Sequence, residues 1–539
     1  MAKQLTYSDS ARAKLLSGVS KTVDAVRVTL GPAGRNVVLS RSSEKPHATA
    51  DGVTVLKDIE LPDEFENLAA SLLREVAQKT NDKAGDGTTT SVILAEAIFK
   101  EGLRHVAAGA NPMALKRGID RAVAAVRDQL KEASRPCDTF EKLSDVAFIS
   151  ANNDREIGEL VAKAIQKVSA KGAVTTREGK TMETTLEFVE GLTFDKGYMS
   201  PYFITDREKL KAVLEQPLIL FYDKKISTVQ ELVPVLEKAM PHGRPILIIA
   251  EDIENEVLSL LVLNTIRGAL KICAVKAPAF GERRKAMLED MSVLTGGIVV
   301  SEEKGMKLES VGLEVFGTAE KVEVEKENTV IIGGKGVPEA IAARIAQIKA
   351  AISQTDSNYD REKLEERLSK MEGGVAEISV GASTEAELKA RKALIDDAVN
   401  ATRAAAEEGI VLGGGVSLLR ASDVLASLAA ENDDELLGIK AVRKALSAPL
   451  SQIARNAGAD GDVVVTEVLE RGGDFGFNAR TREYADLRAT GVIDPTKVAR
   501  TALENAASMA GMLLTAECLI APFESDDDKP RKVGENIII

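Results

Sequence analysis

Near the start of the chain, apolar residues recur at three- and four-residue intervals. From Phe65 the positions Leu68, Ala69, Leu72 and Val76 form one stripe, the signature of a helix with a single face on a core. A second helix is expected from Thr88 through SVILAEAIFKEGL. A third follows the start signal Asn111-Pro112, runs through MALKRGIDRAVAAVRDQL, and ends before Arg135-Pro136, where the proline disfavours helical backbone in the residue preceding it. From residue 172 the texture changes to β-branched runs punctuated by glycine: GAVTTREG, TTLEFVEG, PILIIAED, KICAVKAP and GGIVVSEE. These predict strands alternating with short helices, an α/β domain. Helical periodicity returns over 339–371 as one charged, heptad-like segment closed by Gly373-Gly374, then from Thr384 to Glu408, and the C-terminal part again resembles the beginning. The order helical, mixed, helical predicts nesting: the two ends build one domain and the middle is inserted into it. Gly191, Gly373, Gly374, Gly409 and Pro136 mark candidate joints, though turns and caps use the same residues.

Length and charge sharpen this picture. At roughly 100–200 residues per domain, 539 residues imply three or four compact units. Hydrophobic residues make up 44% and charged residues 28%, a globular composition. The 83 acidic and 70 basic residues give a net charge of −13, which disfavours nucleic acid or anionic lipid as a partner. Apolar runs such as Ile246 to Ala250 are far shorter than the ~20 residues that span a bilayer. The start, MAKQLTYSDSARAKLL, lacks the apolar core of a secretory signal, so a cytoplasmic location is expected. Cys137, Cys273 and Cys518 form no CxxC pair, and His47, His105 and His242 are the only histidines. Disulfides, thiolate zinc and imidazole catalysis therefore recede, leaving carboxylates, hydroxyls and backbone amides to carry any chemistry.

Three segments suit a nucleotide. No Walker A loop is present, since GAVTTREGKT (172–181) has six residues between its glycines where that loop has four. In AGDGTTTS (84–91), glycines free the backbone and hydroxyl residues open a helix, whose unpaired N–H groups and positive dipole end attract phosphate. Asp86 beside it is a hard oxygen ligand suited to Mg2+. A capped helix after a turn explains the same residues. The turn Thr29-Leu30-Gly31-Pro32-Ala33-Gly34-Arg35 either presents amides to an anion or is only a turn. Gly413-Gly414-Gly415 allows close approach to a flat group such as a nucleobase, or tight helix packing.

Taken together, TLGPAGRNVVL (29–39), AGDGTTTSVILA (84–95), GANPMALKRGID (109–120), KAPAFGERRKAMLEDM (276–291), SNYDREKLEERL (357–368), ATRAAAEEGIVLGGG (401–415) and DPTKVAR (494–500) resemble a GroEL-type group I chaperonin, from residue 3 to 523. The resemblance implies a multidomain α+β and α/β fold. It comprises a mostly helical equatorial ATPase domain (1–135 and 409–523), a nested intermediate hinge domain (136–190 and 374–408) and an α/β apical domain (191–373), with a disordered tail over 524–539. It implies ATP held by Thr29, Leu30, Gly31, Pro32, Ala50, Gly87, Thr88, Thr89 and Thr90, with Mg2+ on Asp86. Gly414, Asn478, Ala479 and Arg480 would lie on the adenine side, and Asp494 on the ribose hydroxyls. Asp397 and Asp51 would be the catalytic carboxylates, Asp397 arriving when the hinge closes. Tyr198, Tyr202, Phe203, Val233, Leu236, Leu258, Val262 and Leu263 would bind non-native polypeptides or a GroES-type lid co-chaperonin. Two stacked heptameric rings are implied as well.

Three departures from the family pattern stand out. Ala50 occupies a position where lysine is usual, which bears on the phosphate and K+ contacts. Arg480 replaces a methyl, either to stack on the base or to point into solvent. The tail, ESDDDKPRKVGENIII, is no Gly/Met repeat. Slower turnover with retained binding is the expected consequence. The alternatives are a divergent paralogue acting as a scaffold with weak ATPase, and an unrelated α/β metabolic enzyme. The second lacks any histidine, cysteine or glycine-fingerprint constellation in the middle region.

Overall fold

The computed structural model describes residues 3–40, 47–151, 154–168, 172–179, 182–207, 209–355 and 357–522. The expected tail at 524–539 lies outside them. The chain forms two compact units, one made of residues 1–162 with 393–539 and the other of residues 163–392.

The first unit is mainly helical. Its long helices, Ser8–Val26, Glu64–Ala84, Thr88–Ala107, Pro112–Ala133, Asp433–Ala445 and Thr496–Thr515, pack around one apolar core. Of the stripe read from Phe65, Phe65, Ala69 and Val76 are buried and Leu68 and Leu72 are partly buried at its margin, while Leu73, outside the expected stripe, lies fully in the core. Asn111 caps the third helix by accepting from Met113 N and Ala114 N at 2.9 and 3.1 Å, and proline takes the first helical position, where no N–H is needed. That helix buries Leu115, Ile119, Val126 and Leu130 completely or nearly so. Full burial of each such side chain is worth about 1.5–3 kcal/mol. The chain ends meet as an antiparallel pair, Lys3–Tyr7 with Cys518–Pro522, in register Leu5 to Ile520.

The second unit carries an eight-stranded sheet. Ile272–Lys276, Ile246–Ile253, Leu218–Ile226 and Val299–Val300 pair in parallel. Gly317–Val324, Thr329–Gly334, Gly191–Phe194 and Ala212–Glu215 extend the sheet antiparallel. The parallel strands read as continuous apolar runs because they are buried on both faces. A separate three-stranded sheet is centred on Val375–Val380, every residue of which is buried, flanked by Ala173–Glu178 and Thr185–Val189.

One expected element is corrected. The segment at 339–371 is two helices, Pro338–Gln354 and Asn358–Gly373. Ser357 breaks the periodicity by accepting from Asp360 N at 3.2 Å, the bond of a new N-cap. Among the described residues no helix is long and apolar enough to cross a membrane.

Candidate functional site

The residues singled out at 29–34, 50–52, 86–90, 413–415, 478–480 and 494 converge within the first unit. The helices Glu64–Ala84 and Thr88–Ala107 are joined by a three-residue turn. Gly85 closes the first helix with a bond to Asn81 O at 2.7 Å, and Gly87 opens the second with φ +80, a conformation that L side chains rarely adopt. Thr88 and Thr89 lie almost buried at the mouth of the second helix and Thr90 is half-buried. The Thr89 Oγ1 stands 3.4 Å from that of Thr29, and a Cβ placed on Gly52 would stand 2.2 Å from Thr89 Oγ1. Three loops thus crowd one helix N-terminus, an arrangement suited to an anion with several oxygens.

The turn at 29–34 is held from below. Asn456 Nδ2 donates to Arg27 O at 2.9 Å and to Leu30 O at 2.8 Å, while Gly31 sits over Ile453 of the Ala448–Asn456 helix. Leu30 packs against a small core containing Leu412, Leu450, Phe477 and Ala479, which ties this turn to the glycine run and to the hairpin at 475–486. Pro32 is exposed and Ala50 half-buried. A Cβ placed on Gly414 would meet nothing nearer than Phe477 O and Val492 Cγ1, both at 4.0 Å. A Cβ on Gly413 would stand 3.0 Å from Asp494 Oδ1, because Asp494 pairs with Val411 across the Ile410–Leu412 and Ile493–Pro495 strands. Asn478 Oδ1 accepts from Arg480 N at 3.1 Å, which stiffens the hairpin turn.

The carboxylates here share an electrostatic problem. Burial pushes the Asp86 carboxyl above its usual range; the charge of Asp51 adds to the rise, while Gly87 N at 2.5 Å and Ser150 Oγ at 3.3 Å oppose it. Asp494 is pushed up to about 7, first by burial and then by the charge of Asp86, with the Gly414 N–H opposing. No basic side chain is among the causes of either shift. A divalent cation would relieve this cost. Among the described residues no three His, Cys, Asp or Glu side chains form a cluster that could hold a metal ion.

The two acidic residues of the catalytic expectation differ in setting. Asp51 caps the Gly52–Asp58 helix, accepting from Val53 N at 3.1 Å, Thr54 N at 3.0 Å and Thr54 Oγ1 at 2.5 Å. Its lone pairs are largely committed. Asp397 is half-buried on the Glu385–Glu408 helix, one turn before Asn400. That helix crosses the phosphate turn: a Cβ on Gly85 would stand 2.1 Å from Asn400 Cβ, and Ala404 packs with Ala84 and Val498. Asn400, Asn456 and Ser150 were not singled out from the sequence. Ser150 is 64 positions from Asp86, and no local pattern announces such a contact. Among the described residues a cavity of about 360 Å3 lies elsewhere, where the two chain crossings meet at Ser134–Asp138 and Ala406–Gly409. Burial of Cys137 there pushes its thiol up to about 11.

In the second unit the expected apolar contacts divide. Tyr202 is 66% exposed and Leu263 44%, and Leu258, Val262, Val233 and Tyr198 are half-buried. Phe203 and Leu236 are corrections, since both are core residues at 1% and 5% exposure. Leu236 belongs to the stripe Leu232, Val235, Leu236 and Ala239, which faces the sheet. The Asn255–Ile266 helix buries only Val257 and Leu261, and Ile266, not anticipated, is 62% exposed beside Leu263.

The first unit brings three loops to one helix N-terminus beside Asp86 and Asp494, and the second leaves one face of an apolar helix exposed. The family model of the TCP-1/cpn60 chaperonins matches residues 23–523. The chain belongs to the TCP-1/cpn60 chaperonin family, and its role is of the protein-folding, chaperonin type.

Proposed function

We propose that this chain is a group I, GroEL-type chaperonin, an ATPase that binds non-native polypeptides and releases them for refolding. The observation that carries the reading is the convergence of the turns at 29–34, 50–52 and 86–90 on the N-terminus of the Thr88–Ala107 helix. Phosphates would take the amides of Gly31 and Gly87–Thr90 and the hydroxyls of Thr88–Thr90, with Mg2+ on Asp86. Adenine would lie along Gly414, Asn478 and Ala479, with Arg480 at the rim of its site, and the ribose hydroxyls on Asp494. K+ would have only the Ala50 carbonyl at that position. Mg2+ would neutralise phosphate charge and polarise the γ-phosphoryl. Asp397, on the helix that crosses the phosphate turn, would be the base for the attacking water, and Asp51, whose carboxylate caps the Gly52–Asp58 helix, would assist by its charge.

The chain would work in equatorial, intermediate and apical domains with the boundaries expected above. It would assemble into two stacked heptameric rings in the cytoplasm and use a GroES-type lid that competes with client for Tyr202, Leu258, Val262 and Leu263. A scaffold with weak ATPase is the second reading, favoured by Ala50 and by the committed lone pairs of Asp51. Refolding of an aggregation-prone enzyme, with ATP and a lid protein present or omitted, separates the two. ATP-dependent recovery is expected; recovery indifferent to ATP sinks the chaperonin reading in favour of the scaffold.

A further inference from the structure

We infer that Arg480 and Phe148 form a latch across the base end of the nucleotide cleft, which opens for nucleotide to enter or leave. The inference rests on the nucleotide reading above and adds a gate to it. The Arg480 guanidinium lies 5.3 Å from the centroid of the Phe148 ring, within the range of a cation–π contact.

Both partners stand on fixed supports. Asn478 Oδ1 accepts from Arg480 N and Thr481 N at 3.1 and 3.4 Å, Asn478 O accepts from Arg482 N at 2.8 Å, and Ala479 is buried, so the hairpin turn presents the Arg480 side chain from a rigid base. Phe148 sits near the end of the Phe140–Ser150 helix, backed by Gly158, where an added Cβ would stand 3.0 Å from Phe148 Cα. Two residues on, Ser150 reaches Asp86 at 3.3 Å.

Phe148 thus belongs to the side of the cleft that reaches Asp86 through Ser150, and Arg480 to the hairpin on the adenine side, so their contact bridges the two sides. Arg480 is exposed and Phe148 half-buried, and a cation–π contact at such a surface position costs little to break. A methyl at position 480 could not span the gap, so the latch follows from this chain's departure from the family pattern.

A gate equally closed in the free and the bound protein scales both rates by the open fraction and leaves their ratio alone. An exposed cation–π contact corresponds to roughly a two- to fivefold change in that fraction. The test is stopped-flow binding and release of a fluorescent ADP analogue with Mg2+ on the full chain, in wild type, Arg480→Ala, Phe148→Leu, the double variant and Phe148→Tyr. The expected result is about a two- to fivefold rise in both rates for each single loss, no further rise in the double variant, and wild-type rates for Phe148→Tyr, which keeps the ring face. Unchanged rates, multiplicative effects in the double variant, or a weaker affinity in Arg480→Ala that Phe148→Leu does not share would overturn the latch. The last outcome would place Arg480 on the base. Absence of saturable binding in wild type would remove the nucleotide reading and the latch together, whereas wild-type binding with unchanged rates removes the latch alone.

Discussion

Two helices of similar apolar richness are put to opposite uses. Thr88–Ala107 buries Val92, Ile93, Leu94, Ala95, Ile98 and Phe99 in the core of the first unit, and its polar N-terminus is the proposed phosphate site. Asn255–Ile266 is more apolar still, yet buries only Val257 and Leu261 and leaves Leu263 and Ile266 open. In the first, hydrophobic burial fixes the place of donors that must not move. In the second, apolar area is withheld from the core, as the proposed client surface requires.

The largest expected effect is chemical. Asp397→Ala should lower steady-state ATP hydrolysis about a hundredfold or more while Mg-nucleotide binding persists, the loss typical of a missing general base. Undiminished hydrolysis would remove Asp397 from catalysis. Next, Gly87→Ala meets both the positive φ and Val498 Cγ1, 2.7 Å from the new Cβ. It should cost about 1–3 kcal/mol in thermal or denaturant unfolding, because overpacking and left-handed strain add. In the second unit, Leu263→Ser with Ile266→Ser should weaken capture of an unfolded client about tenfold or more. Stability should change by less than about 0.5 kcal/mol for each replacement, as for surface positions. A large loss of stability would show that these side chains serve the fold.

The smallest effect depends on pH. The folded, nucleotide-free chain raises the Asp494 carboxyl to about 7, so it holds that proton more tightly than the unfolded chain does. Stability is then lost as pH rises from the ordinary carboxylate range near 4 to about 7, and is level beyond it. Asp494→Asn should reduce this slope, leaving the part due to Asp86, and stabilise the nucleotide-free protein at pH 8 by on the order of 1 kcal/mol, while weakening nucleotide binding. An unchanged slope in urea unfolding across that pH range would assign it to other groups.

Much of this was legible in the sequence. The long helices of the first unit announce themselves because one face is apolar and the ends carry Asn-Pro or glycine signals. The loops proposed to hold the nucleotide announce themselves because glycines and threonines serve a backbone purpose. The pairing of Phe148 with Arg480, and of Asn456 with the carbonyls of residues 27 and 30, was not legible, since each joins segments hundreds of positions apart. Burial of Phe203 and Leu236 was also missed: a family motif marks which segment forms a surface, while the face each side chain takes is decided by packing on the sheet. The split at Ser357 was hidden because both halves keep charged helical periodicity through the break.

The central claim is that the first unit cages a magnesium nucleotide between the turns at 29–34 and 86–90. Calorimetric titration of ADP into the full chain, with and without Mg2+ and repeated on Asp86→Ala, tests it most directly. The account predicts saturable binding at one site per chain that weakens at least about tenfold when either Mg2+ or the Asp86 carboxylate is removed, the scale of losing one charge-assisted contact. Absent binding, or binding indifferent to both, would contradict it.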